Sequence, residues 1–242
     1  AIGSMWTKIQ FLEKGVTATG GTGTQQQAEA QQQPEDAKID IKQIKDLWGK
    51  NVIKFGEANA KNLFVEFSDP SCPYCHIAGG LNSELNSQAG AQFKLVADGG
   101  DYVAPVLEMK KLVDSGKAGF VWVYTNGHGA GELSTKALYC AFDEGKFWQL
   151  HDLLMTNKGY DFINNTIKND VTKAPELIEF AKPAISSTAF SNCLTSDKYK
   201  DRLAEDSAIA TSLGVRGTPG FFVNDTRFAG AYNWNDMKSA VK

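Results

Sequence analysis

The sequence predicts an α/β fold whose sheet comes from two separated parts of the chain, with a block of helices inserted between them. Three observations carry this. A run with strand character, Asn62-Leu63-Phe64-Val65-Glu66-Phe67, meets the breaker Asp69-Pro70 and leads into a C-x-x-C, Cys72-Pro73-Tyr74-Cys75. A second apolar strand, Phe120 to Tyr124, follows one helical segment later. After residues 133 to 213, mainly helical by periodicity, the chain returns to strands at Phe221 to Val223 and Arg227 to Gly230.

In chain order, Ala1-Ile2-Gly3-Ser4-Met5 reads as a tag remnant before a start methionine. Residues 16 to 35 are Gly, Thr, Gln, Ala and Glu with almost nothing to bury, so residues 1–45 are assigned to that remnant and a flexible Gln/Gly-rich linker. Such a tether raises the expectation of an N-terminal membrane anchor ahead of it. Order is expected from Ile39, with a short helix placing Ile41, Ile44 and Trp48 on one face. The segment after Cys72 carries Ile77, Leu81 and Leu85 at spacing four. A helix therefore starts beside the C-x-x-C, with Pro73 suited to its first turn, although Gly79-Gly80 falls inside it. Residues 88 to 103 read as a loop, Pro105 to Val113 as a helix, and Asn126-Gly127-His128-Gly129-Ala130-Gly131 as a hinge. The helical block has breaks expected near Asn157 to Asn165, at Pro175 and at Pro183; a turn at Asn224-Asp225 and a last helix from Trp234 complete the chain. The two flanking parts, 46–130 and 198–242, are then the halves of a thioredoxin-like fold, and 131–197 is an inserted helical domain.

Composition limits the function. The chain has 242 residues, 42% of them apolar and 22% charged, enough to bury a core. Twenty-five basic against 28 acidic residues leave a formal charge of −3, which argues against a nucleic-acid binder. The longest apolar run, Phe120-Val121-Trp122-Val123-Tyr124, is far too short to cross a bilayer. The even count of 4 cysteines fits an oxidising compartment.

Two cysteines three apart at a helix start can close a small disulfide. The first is expected to face solvent and the second to lie partly covered beneath it. Unpaired N–H groups and the helix dipole stabilise a thiolate there, and a thiolate of low pKa is a good leaving group, which makes the disulfide oxidising. Cys72 is the candidate nucleophile and Cys75 the resolving thiol. His76, directly after the pair, would stabilise the thiolate further as a cation or simply cover the helix start. His128 and His151 are read as structural or exposed.

The string Phe64-Val65-Glu66-Phe67-Ser68-Asp69-Pro70-Ser71-Cys72-Pro73-Tyr74-Cys75-His76, with Gly217-Thr218-Pro219 ahead of Phe221-Phe222-Val223-Asn224, resembles the DsbA-like thiol:disulfide oxidoreductases over roughly residues 50 to 242. The resemblance implies substrate exchange at Cys72, a cis-proline at Pro219 beside the disulfide, and peptide binding at the Thr218 backbone, with Pro73 and Tyr74 on the substrate face. Physically, such a turn before a strand offers an edge for an extended peptide. The resemblance also implies that Glu66 is a buried acid moving protons for Cys75; burial would raise its pKa, whereas strand alternation could instead turn it outward. It further implies a structural disulfide between Cys140 and Cys193, which by loop closure could contribute roughly 4 kcal/mol.

Two other readings use the same residues. Cys72 to His76 also matches the C-x-x-C-H of c-type haem attachment, against which the preceding strand and the later Gly-Thr-Pro turn both weigh. A zinc site on Cys72, Cys75 and His76 lacks a second close ligand pair. The expected activity is thus extracytoplasmic introduction of disulfides into folding secreted proteins, with no metal and no cofactor beyond the cysteine pair, and with a membrane redox partner restoring the disulfide. Isomerase or reductase activity is the alternative, and an idle peptide-binding module a more distant one. Residues 86 to 103 depart from the compact pattern of the family and bear on the substrate surface.

Overall fold

The structure is a computed structural model that describes residues 39–242. The tag remnant, most of the linker and any anchor ahead of them lie outside the described residues. Five strands form one sheet: β1 (Ile53–Phe55), β2 (Asn62–Ser68), β3 (Ala118–Tyr124), β4 (Gly220–Val223) and β5 (Thr226–Ala229), in spatial order β1-β3-β2-β4-β5. β2 and β3 are parallel, while β1 joins β3, β4 joins β2 and β5 joins β4 antiparallel. β1 went unread in the sequence, because three residues are too few to show a period.

Every residue of β2 and β3 is buried, which is why both read as nearly continuous apolar runs. Phe64, Phe120, Trp122 and Phe221 face the inserted helices, packing with Leu138, Phe147, Leu150 and Leu154. Val65, Phe67, Val121 and Phe222 face the other way, against Ile44 of α1 (Ile41–Lys45), the following Leu47, and Ala210 of α10 (Arg202–Ser212). The sheet is therefore the middle layer of three.

Helix α2 (Pro73–Gly79) has Cys72 as its N-cap and Pro73 in its first turn. It is shorter than the spacing of Ile77, Leu81 and Leu85 suggests. Gly80 adopts φ 69°, and a side chain there would collide with Ala104, so the chain breaks and restarts as α3 (Ser83–Gln88). The expected loop at 88–103 contains two short 3-10 turns and a bridge between Leu95 and Tyr102. α4 (Pro105–Asp114) then leads into β3.

Between β3 and β4 lie α5 (Glu132–Asp143), α6 (Phe147–Leu154), α7 (Asn157–Asp161), a π-helical turn at Phe162–Ile167, α8 (Ala174–Ala181), α9 (Thr188–Leu194) and α10. Two expected breaks are corrected here. Residues 157 to 165 are helical, and Pro175 opens α8 rather than ending a helix, since its missing N–H costs nothing in a first turn. Helix α11 (Trp234–Met237) ends the fold.

Two devices fasten the inserted helices. Cys140 on α5 and Cys193 on α9 are disulfide-bonded. The carboxylate of Asp206 on α10, fully buried, accepts from the Tyr124 N–H (2.9 Å), the Tyr139 hydroxyl (2.8 Å) and Arg202 Nε (2.9 Å). It joins the end of β3 to α5 and α10. Replacing Cys140 and Cys193 together by Ala should lower the unfolding free energy by up to about 4 kcal/mol, read as a lower denaturant midpoint, because the unfolded chain regains a loop of 53 residues.

Candidate active site

The site lies where β2 ends. Cys72 caps α2 and is only 4% exposed, while Cys75, one turn in, is fully buried. The expectation that Cys72 faces solvent is corrected: the Thr218 turn and Met155 lie over the pair. Both cysteines are free thiols in this structure. The Cys72 thiol donates to the Thr218 carbonyl at 3.5 Å, and the Asp69 N–H donates to Cys75 Sγ at 3.5 Å.

Their acidities are pulled apart. A hydrogen bond from Cys75, then contributions from Thr218 and the N–H groups of Cys75 and Tyr74, bring Cys72 down to about 6 against the opposing effect of burial. Burial first, and then the neighbouring Cys72 sulfur, push Cys75 well above the ordinary thiol range. One proton is thus held between the two sulfurs, and it resides on Cys75.

Glu66, on β2 six residues before Cys72, is fully buried, and neither carboxyl oxygen has a hydrogen-bond partner among the described residues. The outward alternative fails because β2 has no outer face. Burial raises its pKa; His151 and the Ser68 hydroxyl partly offset this. Ser68, two residues on and therefore on the same face of β2, also acts on Cys75.

His76 corrects an expectation. Its ring is fully buried, with Nε2 2.8 Å from the Pro70 carbonyl, Nδ1 3.0 Å from the Met155 carbonyl and the Tyr160 ring edge-on at 4.9 Å. Burial pushes it down to about 4 although both carbonyls pull upward, so at neutral pH it is no cation beside Cys72. It braces the Pro70 corner against the end of α6. With both ring nitrogens engaged, it also cannot serve the iron or zinc of the alternative readings. Among the described residues, no group of three or more His, Cys, Asp or Glu could hold a metal ion.

Several residues of the site were missed in the sequence. Asp69 is fully buried; Oδ1 accepts from the Ser71 N–H (2.8 Å) and hydroxyl (2.7 Å), and Oδ2 from the N–H groups of Gly127 and His128 (both 2.9 Å). The segment 126–131, expected to be a hinge, is instead pinned to the active-site turn. A side chain at Gly127 would strike Thr218, and one at Gly131 would strike Asp69. Asn164, in the π-helical turn, donates to the Ser71 carbonyl at 3.2 Å. The Asp-x-Ser spacing hinted at a local turn around Asp69; nothing local marked Asn164, which arrives from 93 residues away.

The Thr218–Pro219 peptide is cis. Beside it runs a groove of about 530 Å³ lined by Arg216, Gly217, Thr218, Pro219, Arg227 and Phe228, among others. On the opposite flank Pro73 is half-buried and Tyr74 is 49% exposed, its ring meeting Phe93 edge-on at 5.9 Å; Phe93 in turn meets Tyr102 at 5.7 Å. The 86–103 segment thus supports one wall of the site.

With this geometry in hand, the comparisons with known proteins are consistent. The chain belongs to the thioredoxin family, whose model (Thioredoxin_4) matches residues 105–242, a span that includes Thr218-Pro219 and begins after the cysteine pair. In fold it resembles solved DsbA-type structures. Oxidised BdbD from Bacillus subtilis superposes with a TM-score of 0.56 at 19% identity, covering 86% of this chain and 95% of that one. Wolbachia pipientis alpha-DsbA1 gives 0.57 at 17% identity, covering 79% and 89%. In sequence, the chain is 27% identical over 77% of its length to the Na(+)/H(+) antiporter NhaA 3 of Salinispora tropica, of which it spans only 24%. It is 22% identical over 88% of its length to a Rickettsia bellii protein named "Putative protein-disulfide oxidoreductase", of which it spans 72%.

Two outcomes are expected. In the reduced protein, thiolate absorbance near 240 nm should rise with a midpoint near pH 6 and vanish in Cys72→Ser, while Cys75 stays protonated well past neutrality. His76, at 6.5 in the unfolded chain and about 4 in the folded one, contributes stability that is present above pH 6.5 and lost as pH falls toward 4. Denaturation midpoints between those limits should show that slope, and His76→Gln should flatten it.

Proposed function

We propose that the chain is a thiol:disulfide oxidoreductase that introduces disulfides into folding proteins outside the cytoplasm. The observation that carries this is the opposed acidity of Cys72 and Cys75 beneath the Thr218 turn. In the oxidised protein, a substrate thiolate attacks Cys72 Sγ. The Cys72–Cys75 bond breaks, and Cys75 leaves with the electron pair and takes a proton from Glu66. A second substrate thiolate then attacks the substrate sulfur of the mixed disulfide, and Cys72 leaves as a thiolate. The substrate loses two electrons and the protein gains them.

Each residue has a part in this reading. Low Cys72 basicity makes Cys72 a good leaving group in the second step, which favours oxidation of the substrate. The Thr218 backbone pairs with the extended substrate around its cysteine, while Pro73 and Tyr74 form the facing surface. The electrons remain on sulfur, so no cofactor enters. A membrane redox partner takes them from the reduced pair and restores the disulfide.

Equilibration with glutathione buffers, with trapping of free thiols, tests the direction. The expected reduction potential of the Cys72–Cys75 pair lies well above the glutathione poise, with Cys72→Ser inert toward reduced peptides. A potential near that of thioredoxin would make the chain a reductase. An absent two-electron couple would leave only peptide binding.

A further inference from the structure

Arginine is rare in this chain. Lysine and arginine together number 25, but only three of these are arginines: Arg202, Arg216 and Arg227. Arg202 shows what the chain uses that side chain for. It is buried, and its Nε donates to the Asp206 carboxylate at 2.9 Å. A planar guanidinium can hold a carboxylate through two parallel donors, which a lysine ammonium cannot match. The other two arginines line a single groove, the one beside the cis Thr218–Pro219 peptide.

That groove is built by bonded backbone. At the end of α10 the Gly214 N–H donates to the Thr211 carbonyl (3.1 Å) and the Val215 N–H to that of Ala210 (2.9 Å). Val215 packs on Gly220, where a side chain would strike it, so the 214–217 loop lies close against the start of β4. Across the groove, Arg227 of β5 is half-buried and its Nη1 donates to the Gly214 carbonyl at 3.0 Å. Arg216 is exposed, and it has no hydrogen bond or ion pair among the described residues. No aspartate or glutamate lines the groove, although the chain carries 28 acidic residues and a formal charge of −3. Two guanidinium groups set together without a counter-charge, in an acidic protein, favour an anion brought from outside.

The groove begins at the reacting sulfur. Thr218 lines it, and the Thr218 carbonyl lies 3.5 Å from Cys72 Sγ. A substrate cysteine that attacks Cys72 therefore stands beside Thr218, and an extended chain advances about 3.3 Å per residue from there. Arg216 is two residues from Thr218, a backbone span of at most about 7 Å. Substrate residues within three positions of the cysteine thus come within reach of the arginines. On the opposite flank Tyr74 and Phe93 present aromatic rings instead, so the two sides of the cysteine meet different chemistry.

We propose that Arg216 and Arg227 select substrate segments that carry an aspartate or glutamate within three residues of the reacting cysteine, on one side of it. The selection deepens the activity proposed above and rests on it. It acts on which thiol is presented to Cys72 and leaves the exchange chemistry as already written.

The test mixes the oxidised full chain with an excess of blocked single-cysteine peptides and follows opening of the Cys72–Cys75 disulfide. Glu, Gln or Lys stands in turn at each of the three positions before and after the cysteine. Each rate is divided by that of the same peptide with a neutral small disulfide, which removes the effect of the neighbouring charge on the thiol itself. Glu should exceed Gln by about fivefold on one side of the cysteine, the size of a well-formed exposed ion pair, and Lys should fall below Gln. The ratio should shrink toward one in about 0.5 M salt. Arg216→Gln and Arg227→Gln should each lower it, and Arg216→Lys should fall between wild type and Arg216→Gln because the charge remains and the fork is lost. A purely structural role would slow Glu and Gln peptides alike and leave the ratio at its wild-type value, which would overturn the proposal. Equal rates for Glu and Gln in the wild type would overturn it too, with the oxidoreductase reading intact. So would equal gains on both sides of the cysteine, which mark the field of the whole protein. If no peptide opens the disulfide, the activity itself fails and the selection falls with it. Arg216→Gln decides if Arg227→Gln does not fold, since Arg216 has no bond to lose.

Discussion

Strand β2 is covered on one face by the inserted helices and on the other by α1 and α10, and the chemistry at its end depends on that enclosure. In water, two neighbouring thiols would have similar acidities. Here the sulfur at the cap receives hydrogen bonds while the sulfur one turn deeper receives mostly desolvation, so the same short segment yields a thiolate and a thiol. Glu66 and Ser68 are drawn into the same dry layer because a strand with two buried faces has nowhere else to send them. Enclosure thus sets both the polarity of the cysteine pair and the raised pKa of Glu66 on the strand that leads to it.

The site is assembled from four remote segments, and Asp69 is the point at which two of them are tied. Its four accepted hydrogen bonds use both carboxylate oxygens, two on the Ser71 turn and two on the 126–131 segment. Because Gly127 lies against Thr218, that segment holds the cis-proline turn at a fixed distance from Cys72. The π-helical turn adds Asn164 on the Ser71 carbonyl. The glycines at 127 and 131 are therefore needed for close approach rather than for mobility, since a Cβ at either would occupy the space of the groups being held.

This explains how much could be read from the chain itself. The strands β2, β3, β4 and β5 and the cysteine pair with its helix leave local marks, namely apolar runs, breakers and residue types at fixed spacing, whereas the cis-proline turn and the Cys140–Cys193 bond were expected from the resemblance to the DsbA-like family. Glu66 was legible as a polar residue within an apolar strand. The failures share a cause, which is that the deciding partner is distant in sequence. His76 looks like a cation next to a thiolate until Met155 and Tyr160 close around it. Asn126 to Gly131 looks like a hinge until Asp69 is placed beneath it.

Enclosure has a thermodynamic cost that the rest of the molecule must offset. A carboxyl whose pKa is raised by folding contributes stability below its unfolded value near 4.5 and loses it as pH rises, so at neutral pH buried Glu66 works against the native state. His76 works against it in acid, where the unfolded imidazole gains a proton that the folded one refuses. Neither group has compensating bonds sufficient to restore its ordinary acidity. The fastenings that hold the inserted helices are accordingly found outside the reactive layer, in the Cys140–Cys193 bond and in Asp206 with Arg202 and Tyr139. Asp206 is buried too, but it is saturated with donors, whereas Glu66 is left open. That contrast between two buried acids in one domain separates a carboxylate that fastens three elements from one whose oxygens have no hydrogen-bond partner.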